Sequence, residues 1–380
     1  MTYDFDRAPD RRAPDAVKWA VGENELPMWI ADMDFAAAPE ILAALQKRLD
    51  AAVFGYGDVP EAWYDAYVGW WRDRHGFEMK KEGLIFCTGV IPAISSAVRK
   101  LTTPAEKVVL LTPVYNIFYN SVLNNGRVVL PCPLLNEDGA YRIDFTALEK
   151  ALADPQTAML IFCNPHNPVG KLWDADTLAR VGTLARRYGV TVLSDEIHCD
   201  LTAPGKSYVP FAAAGADCRA VSATCIAPTK AFNLAGLQTA AVYCEDPFLR
   251  HKIRRALNTD EVAEPNAFAV AAAVAAFTEG APWLDALRAY LWKNRRLAEE
   301  FIADRLPALR VTKAEATYLL WIDGTKTGIE DLAAFIREKS GLVLSAGGVY
   351  GATDAFLRMN LACPRSRLEE GLERLEKALG

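Results

Sequence analysis

Short apolar runs alternate with amphipathic stretches between about residues 84 and 245 of this 380-residue chain. Continuous apolar runs separated by helical segments are typical of a parallel sheet that is covered by helices on both faces. The pattern therefore predicts an α/β fold with a mainly parallel, seven-stranded sheet. The seven runs predicted as strands are Gly83–Cys87, Lys107–Leu111, Val128–Pro131, Ala158–Cys163, Thr191–Ser194, Ala220–Ala223 and Thr239–Val242.

The pattern changes towards the carboxyl end of the chain. Two charged amphipathic helices are predicted at Trp283–Leu306 and Leu368–Leu379, with three strand-like stretches between them, Ala316–Ile322, Leu342–Ser345 and Phe356–Asn360. This mixture predicts a smaller α+β domain packed on the first, and we expect the amino-terminal residues to join it. The expected division is a large domain of residues 46–282 and a small domain of residues 1–45 and 283–380.

Composition and charge narrow the classes of function. The formal net charge is −6 with no long basic run, so neither nucleic acid nor an anionic membrane is an expected partner. No apolar stretch has the length of a membrane span, and the charged start, MTYDFDRAPDRRAPD, lacks the apolar core of a signal peptide. The eight cysteines occur singly and the four histidines lack ligand spacing. We therefore expect a cytoplasmic protein without a disulfide framework or a metal site.

Ligands of parallel α/β sheets bind beyond the carboxyl ends of the strands, and two turns there stand out. In CTGVIPA (residues 87–93) a strand runs through Gly89 into a helix start, whose free N–H groups can hold a phosphate. In NPHNPVG (residues 164–170) two prolines stiffen the loop and can fix the amide of Asn167 against a ligand oxygen. Each turn on its own is also compatible with a simple connection.

Two further strand ends carry charged side chains. Asp195 and Glu196 follow an apolar strand, where a buried carboxylate needs a cation such as a protonated ring nitrogen, although both could instead face water. Lys230, in APTKAFNLAG, follows another strand; a partly dry site would lower its pKa and make it a nucleophile and a base. A single lysine is more commonly a surface residue. Asparagine, aspartate and lysine at successive strand ends nevertheless form one coherent ring-binding set.

In this combination the chain resembles the fold-type I pyridoxal-phosphate (PLP) enzymes of the aminotransferase class I/II superfamily. It is most similar to the MalY/PatB branch, the cystathionine β-lyases and related carbon–sulfur lyases. The resemblance spans nearly the whole chain. Its segments are LPMWIADMDF (26–35), FGYG (54–57), NPHNPVG (164–170), DEIHCDL (195–201), KAFNLAGLQTA (230–240) and FLRMNLACPRSRLEEGLERL (356–375).

The resemblance implies a role for each matching residue. Lys230 would carry PLP as a Schiff base and move the substrate proton, with Tyr115 as a second catalytic residue stacked on the ring. Asn167, Tyr115 and Arg358 would bind the amino-acid substrate, and Arg358 would grip its α-carboxylate. The implied cofactor-binding residues are Gly89, Val90, Ile91, Tyr115, Asn167, Asp195, His198, Thr229 and Lys230, together with Tyr56 from the partner subunit of a homodimer.

Three positions depart from the wider aminotransferase pattern. His198 stands where many aminotransferases have a tyrosine, Gln238 where many have a phosphate-binding arginine, and Ala227 where a serine is common. The phosphate is thus expected to be held with less positive charge. These departures favour the lyase branch.

The resemblance therefore implies a PLP-dependent β-lyase that cleaves cystathionine or related cysteine S-conjugates to pyruvate, ammonia and a thiol, which is homocysteine when cystathionine is cleaved. A PLP-dependent aminotransferase is the first alternative, because it uses the same ring contacts. A regulatory protein that retains the PLP fold is the second. A dinucleotide-binding enzyme fits the alternating pattern but would need a GxGxxG motif after an early strand, which the sequence lacks.

Overall fold

The computed structural model describes residues 3–7, 9–12 and 16–380. Positions 1, 2, 8 and 13–15 lie outside the described residues, and the predicted small domain includes them. No helix in the described ranges has both the length and the apolar character needed to cross a membrane.

The strands form two main sheets and two short pairs. In chain order the strands are β1 (Leu26–Pro27), β2 (Leu84–Cys87), β3 (Lys107–Thr112), β4 (Val128–Pro133), β5 (Leu135–Glu137), β6 (Ala140–Arg142), β7 (Thr157–Cys163), β8 (Thr191–Asp195), β9 (Ser222–Ile226), β10 (Ala240–Tyr243), β11 (Arg310–Val311), β12 (Leu319–Asp323), β13 (Leu342–Val343), β14 (Ser345–Ala346) and β15 (Phe356–Asn360).

The helices lie between these strands and around them. They are α1 (Pro39–Asp50), α2 (Glu61–His75), α3 (Val90–Leu101), α4 (Ile117–Leu123), α5 (Phe145–Leu152), α6 (Ala175–Tyr188), α7 (Ala216–Val221), α8 (Pro247–Thr259), α9 (Ala269–Glu279), α10 (Ala281–Arg305), α11 (Leu332–Ser340) and α12 (Arg365–Leu379).

The central sheet has seven strands in the order β2-β10-β9-β8-β7-β3-β4. All neighbours pair in parallel except β10, which is antiparallel to both β2 and β9. Alternate residues of a strand point to opposite faces. On β3, Val108 packs in the core that includes α3 and α8, whereas Val109 packs in the core that includes α6. The predicted α/β fold, with helices on both faces of a mainly parallel sheet, is confirmed.

One predicted strand is displaced along the chain. The run Ala220–Ala223 was expected to be a strand, but Ala220 and Val221 end α7 and the strand β9 begins at Ser222. The last two residues of α7, Ala220 and Val221, are as apolar as the strand that follows, so the apolar run alone does not mark the boundary.

The second main sheet is antiparallel, in the order β11-β12-β15-β14. The helices α10, α11 and α12 contribute to the same apolar core as this sheet. The predicted strand Ala316–Ile322 begins only at Leu319, because Thr317 has a φ of 70°, outside the extended region. Near the amino terminus, β1 pairs in parallel with β13, which ties residues 26–27 to this part of the fold.

Candidate active site

A cavity of about 290 Å³ lies at the carboxyl ends of the parallel strands in the seven-stranded sheet. Parallel strands end at the same edge, so the turns that follow β2, β7, β8 and β9 converge there. Nine residues proposed from the sequence line this one cavity, namely Gly89, Val90, Ile91, Tyr115, Asn167, Asp195, His198, Thr229 and Lys230. The structure therefore brings these nine candidates together around a single space.

Lys230 lies in the turn after β9 and is buried at its amine. The pKa of Lys230 is lowered to about 8, chiefly by burial and also by the positive charge of Arg358, while Asp32 and Asp195 act in the opposite direction. Its Nζ donates a hydrogen bond to the backbone oxygen of Ala31 at 2.5 Å. An amine with this pKa is partly neutral near pH 7, as a nucleophile or base must be.

Asp195 is the last residue of β8 and is buried. Burial raises the pKa of its carboxyl to about 7, although the backbone N–H of Ile197 donates to Oδ1 at 3.1 Å and Lys230 is nearby. A buried carboxylate of this kind gains stability from a cation beside it. The protonated ring nitrogen of PLP is such a cation, so Asp195 fits the proposed cofactor.

Glu196 follows Asp195 but faces away from the cavity. Its Oε1 accepts hydrogen bonds from Oγ of Ser194 at 2.6 Å and from the backbone N–H of Phe211 at 2.9 Å. Burial raises the pKa of Glu196 to about 8. The two neighbouring acids therefore have separate surroundings, and only Asp195 lines the cavity.

The turn into α3 forms a second polar part of the cavity. Gly89 precedes the helix, and no side chain among the described residues caps it. The first N–H groups of a helix lack partners within the helix and attract an anion. A Cβ on Gly89 would lie 3.1 Å from Cδ of Pro92, so a side chain fits poorly there. Thr229 and Gln238 line the same cavity, and both can donate hydrogen bonds.

His198 and Tyr115 line the same cavity. Burial lowers the pKa of His198 to about 3, and the charges of Lys230 and Arg358 act in the same direction, so its imidazole is neutral. Burial raises the pKa of Tyr115 to about 12, so its hydroxyl stays protonated and can donate. Both can therefore serve as hydrogen-bonding groups without adding charge to the site.

Arg358 comes from β15 of the second sheet and contacts Asn167, one of the residues that line the cavity. Its Nη1 lies 3.3 Å from Oδ1 of Asn167, and Nη2 donates to the backbone oxygen of Trp29 at 3.0 Å. The guanidinium carbon lies 4.7 Å from the centre of the Tyr350 ring. Nε is buried and has no hydrogen-bond partner among the described residues. A buried guanidinium with a free N–H is suited to a carboxylate ligand.

Tyr56 is the one proposed cofactor residue that does not approach the cavity of its own chain. It is fully exposed, in a stretch between α1 and α2 that has no helix or strand. The sequence-based prediction assigned it to the partner subunit's site, and this stays a prediction.

Sequence reasoning missed two contributors to the site, the side chain of Tyr318 and the backbone oxygen of Ala31. The backbone oxygen of Ala31 accepts hydrogen bonds from both Lys230 and Tyr318. Every residue has a backbone oxygen, so neither the residue type nor a local sequence pattern shows which one binds a ligand or a side chain. The segment LPMWIADMDF did carry the family resemblance, and that was the available signal.

A group of possible metal ligands lies elsewhere in the fold. His75, Cys199 and Asp200 place ligand atoms within 4.8 Å of one another, a grouping that sequence spacing did not predict. Oδ1 of Asp200 accepts from Nε1 of Trp70 at 3.0 Å and lies 3.0 Å from Nε2 of His75 and 3.5 Å from Nε of Arg74. These groups already balance the buried carboxylate, and we interpret the cluster as part of the framework.

Comparison with known proteins agrees with this geometry. The chain is 42% identical to "Cystathionine beta-lyase PatB" of Bacillus subtilis and 32% identical to "Protein MalY" of Escherichia coli, with 99% of both chains covered in each case. The PLP-bound C–S lyase from Staphylococcus hominis matches with a TM-score of 0.94 at 31% identity, over 100% of this chain and 98% of that one. The resemblance stated from the sequence is confirmed. Residues 15–375 match the aminotransferase class I and II family, and the chain belongs to that family.

Proposed function

We propose that this protein is a PLP-dependent carbon–sulfur β-lyase that cleaves cystathionine or a related cysteine S-conjugate to pyruvate, ammonia and a thiol. The observation that carries the proposal is the convergence of Lys230 and Asp195 on one cavity, with Arg358 hydrogen-bonded to Asn167 of the same lining. The 42% identity to a relative named cystathionine β-lyase, over 99% of both chains, supports the reaction class.

Each part of the cofactor has a suitable residue. Gly89 and the helix start, with Thr229, would bind the phosphate, and Asp195 would pair with the ring nitrogen. Asn167 and His198 would lie at the ring oxygen, and the further cofactor candidates Val90, Ile91 and Tyr115 line the same cavity. When bound, PLP supplies an electron-withdrawing ring that stabilises negative charge at the substrate α-carbon.

The substrate would be held and deprotonated by two residues of this chain. Arg358 would bind the α-carboxylate, which fixes the orientation of the amino acid. Lys230 would accept the α-proton at Nζ, because burial keeps the pKa of its amine low enough for a neutral fraction at physiological pH. The neutral His198 and protonated Tyr115 would keep their hydrogen-bonding roles through the reaction.

A homodimer and a cytoplasmic location complete the proposal. Val53, Phe54 and Tyr56 are exposed together on the stretch between α1 and α2, as expected of a surface that a second copy covers. The partner's Tyr56 would then reach the phosphate. All eight cysteines are buried and free, which is typical of proteins in a reducing compartment.

We also propose the division into a large domain of residues 46–282 and a small domain of residues 1–45 and 283–380. The seven-stranded sheet, which runs from β2 to β10, falls within the first range, and the four-stranded sheet falls within the second. The cavity would then lie mainly in the large domain, with Ala31 of the small domain in its lining and Arg358 of the small domain bonded to Asn167.

The reaction is tested by supplying purified, PLP-loaded protein with cystathionine and no 2-oxo acid. Release of pyruvate and free thiol in equal amounts is expected. A strict requirement for a 2-oxo acid would instead indicate the aminotransferase. The Lys230→Ala variant, prepared in the same way, gives the blank.

A further inference from the structure

Two side chains donate hydrogen bonds to one backbone oxygen beside the cavity. The oxygen belongs to Ala31; Nζ of Lys230 lies 2.5 Å from it and Oη of Tyr318 lies 2.9 Å from it. A carbonyl oxygen has two lone pairs and can accept both. Tyr318 is buried, and its hydroxyl makes this one hydrogen bond among the described residues.

The peptide groups on both sides of Ala31 are held as well. The backbone oxygen of Trp29 accepts from Nη2 of Arg358 at 3.0 Å. The oxygens of Ile30 and Asp32 both accept from Nδ2 of Asn360, each at 2.6 Å. Because its neighbours are fixed from β15, the Ala31 oxygen has little freedom to turn.

We propose that Tyr318 is a positioning residue that, through the Ala31 oxygen, fixes where the amine of Lys230 lies when that amine acts as the base. A free lysine side chain has several rotatable bonds, and a fixed acceptor selects one arrangement of them. The amine donates an N–H to the oxygen and keeps its lone pair for the substrate proton. This inference rests on the proposed function, because it requires Lys230 to act as a base.

Tyr318 also affects how readily the amine becomes neutral. An oxygen that already accepts a hydrogen bond from Tyr318 is a weaker acceptor for an ammonium group. Removal of the hydroxyl should therefore favour the charged form of Lys230 and raise its pKa. The other charged or titratable groups that face the two side chains are Asp32, Tyr115, Asp195, His198 and Arg358.

The test is Tyr318→Phe, with Tyr67→Phe as the matched control. Tyr67 is also fully buried, and its hydroxyl has no partner among the described residues. The first measurement is kcat and KM for cystathionine. The second is the pH dependence of the rate at which the cofactor-free protein condenses with PLP, with Lys230→Ala as the blank.

For Tyr318→Phe we expect kcat to fall about tenfold with KM changed less than about twofold. The midpoint of the condensation profile should rise by about half a pKa unit. The Tyr67→Phe control should keep both values of the wild type. A midpoint equal to that of the control overturns the inference, whatever happens to kcat.

Replacement of tyrosine by 3-fluorotyrosine at position 318 keeps the test open if the phenylalanine variant does not fold. Its hydroxyl is a stronger donor, so the midpoint should move down, and an unchanged midpoint overturns the inference. Failure of the proposed function is distinguishable, because the wild type would then release no pyruvate from cystathionine. An active wild type with unaltered variants rejects only the role of Tyr318.

Discussion

Nη1 of Arg358 donates a hydrogen bond to Oδ1 of Asn167 over 3.3 Å, and this bond joins the two main sheets. Arg358 lies on β15, and Asn167 lies in the turn that follows β7. The proposed substrate-binding residue is thus in direct contact with a proposed cofactor-binding residue. A change at either residue is expected to alter both binding steps.

Arg358→Lys tests the carboxylate site. A lysine offers a point charge in place of the forked donors, and it cannot maintain the contacts with Asn167 and Trp29 together. We expect KM for cystathionine to rise about 100-fold, corresponding to about 3 kcal/mol of lost binding. Arg337→Lys, on the exposed surface, is the control and should leave KM unchanged. An unaltered KM in Arg358→Lys would remove Arg358 from the substrate site.

Lys230→Ala tests the proposed base and the attachment of the cofactor. We expect turnover to fall by at least about 1,000-fold, because both functions of the amine are lost. Borohydride treatment of the PLP-loaded wild type should fix the cofactor to the peptide that contains Lys230. Lys206→Ala removes an exposed lysine that pairs with Glu315 and should retain activity. Labelling at a different lysine would contradict the assignment.

Asp195→Asn tests the buried carboxyl through the stability of the cofactor-free protein. Burial raises the pKa of Asp195 from 3.8 to about 7 in the folded state, so folding favours the protonated form. The wild type should therefore lose stability as pH rises from about 4 to about 7, and the asparagine variant should lack this contribution. Its advantage above pH 7 has an upper bound of about 4 kcal/mol.

Urea unfolding of the two proteins at pH 5 and pH 8 measures this effect. The difference between variant and wild type removes most of the contribution of Glu196, whose pKa is raised to about 8 chiefly by burial and only to a smaller extent by Asp195. We expect the difference in the free energy of unfolding to be larger at pH 8. An equal difference at both pH values would show that Asp195 is ionised in the folded protein at pH 5.

Tyr56 tests the shared site of the proposed dimer. Tyr56→Ala should weaken PLP binding by about tenfold or more, because a phosphate partner is lost. When Tyr56→Ala subunits are mixed with Lys230→Ala subunits, hybrid dimers with one subunit of each kind should form. One of the two sites in such a hybrid has both an intact Lys230 and the partner's intact Tyr56. At a PLP concentration that loads the wild type but leaves the Tyr56→Ala homodimer largely empty, random exchange would then restore about a quarter of wild-type activity. Mixtures that stay inactive although hybrids form would contradict the shared site.

Most strands of the central sheet could be predicted from the sequence, because buried strands consist of short, regular runs of apolar residues. The core strand β7, for example, reads TAMLIFC and was found within one residue of its start. The direction of β10 was beyond reach, since an antiparallel strand buried on both faces has the same composition as a parallel one. The hairpin of β5 and β6 was also missed, because its residues are largely exposed and vary in polarity.

The candidate site divides in a similar way. Asn167, Asp195 and Lys230, which all line the cavity, could be proposed because each lies at or just after the end of a strand and carries its own functional group. The contact of Tyr318 with the Ala31 oxygen spans 287 residues of sequence and involves a backbone atom. Such a contact depends on how two sheets meet, which no local pattern describes.

The reversal of strand direction at β10 has a mechanical consequence for Lys230. The chain leaves β9 and enters β10 at the same edge of the sheet, so residues 227–239 form a loop that never crosses it. Its two ends are anchored in adjacent strands, about 5 Å apart. Both ends of the loop are therefore held by strands of the central sheet, which restrains its main chain. During a reaction cycle we therefore expect the displacement of the amine to come mainly from rotation about the side-chain bonds of Lys230.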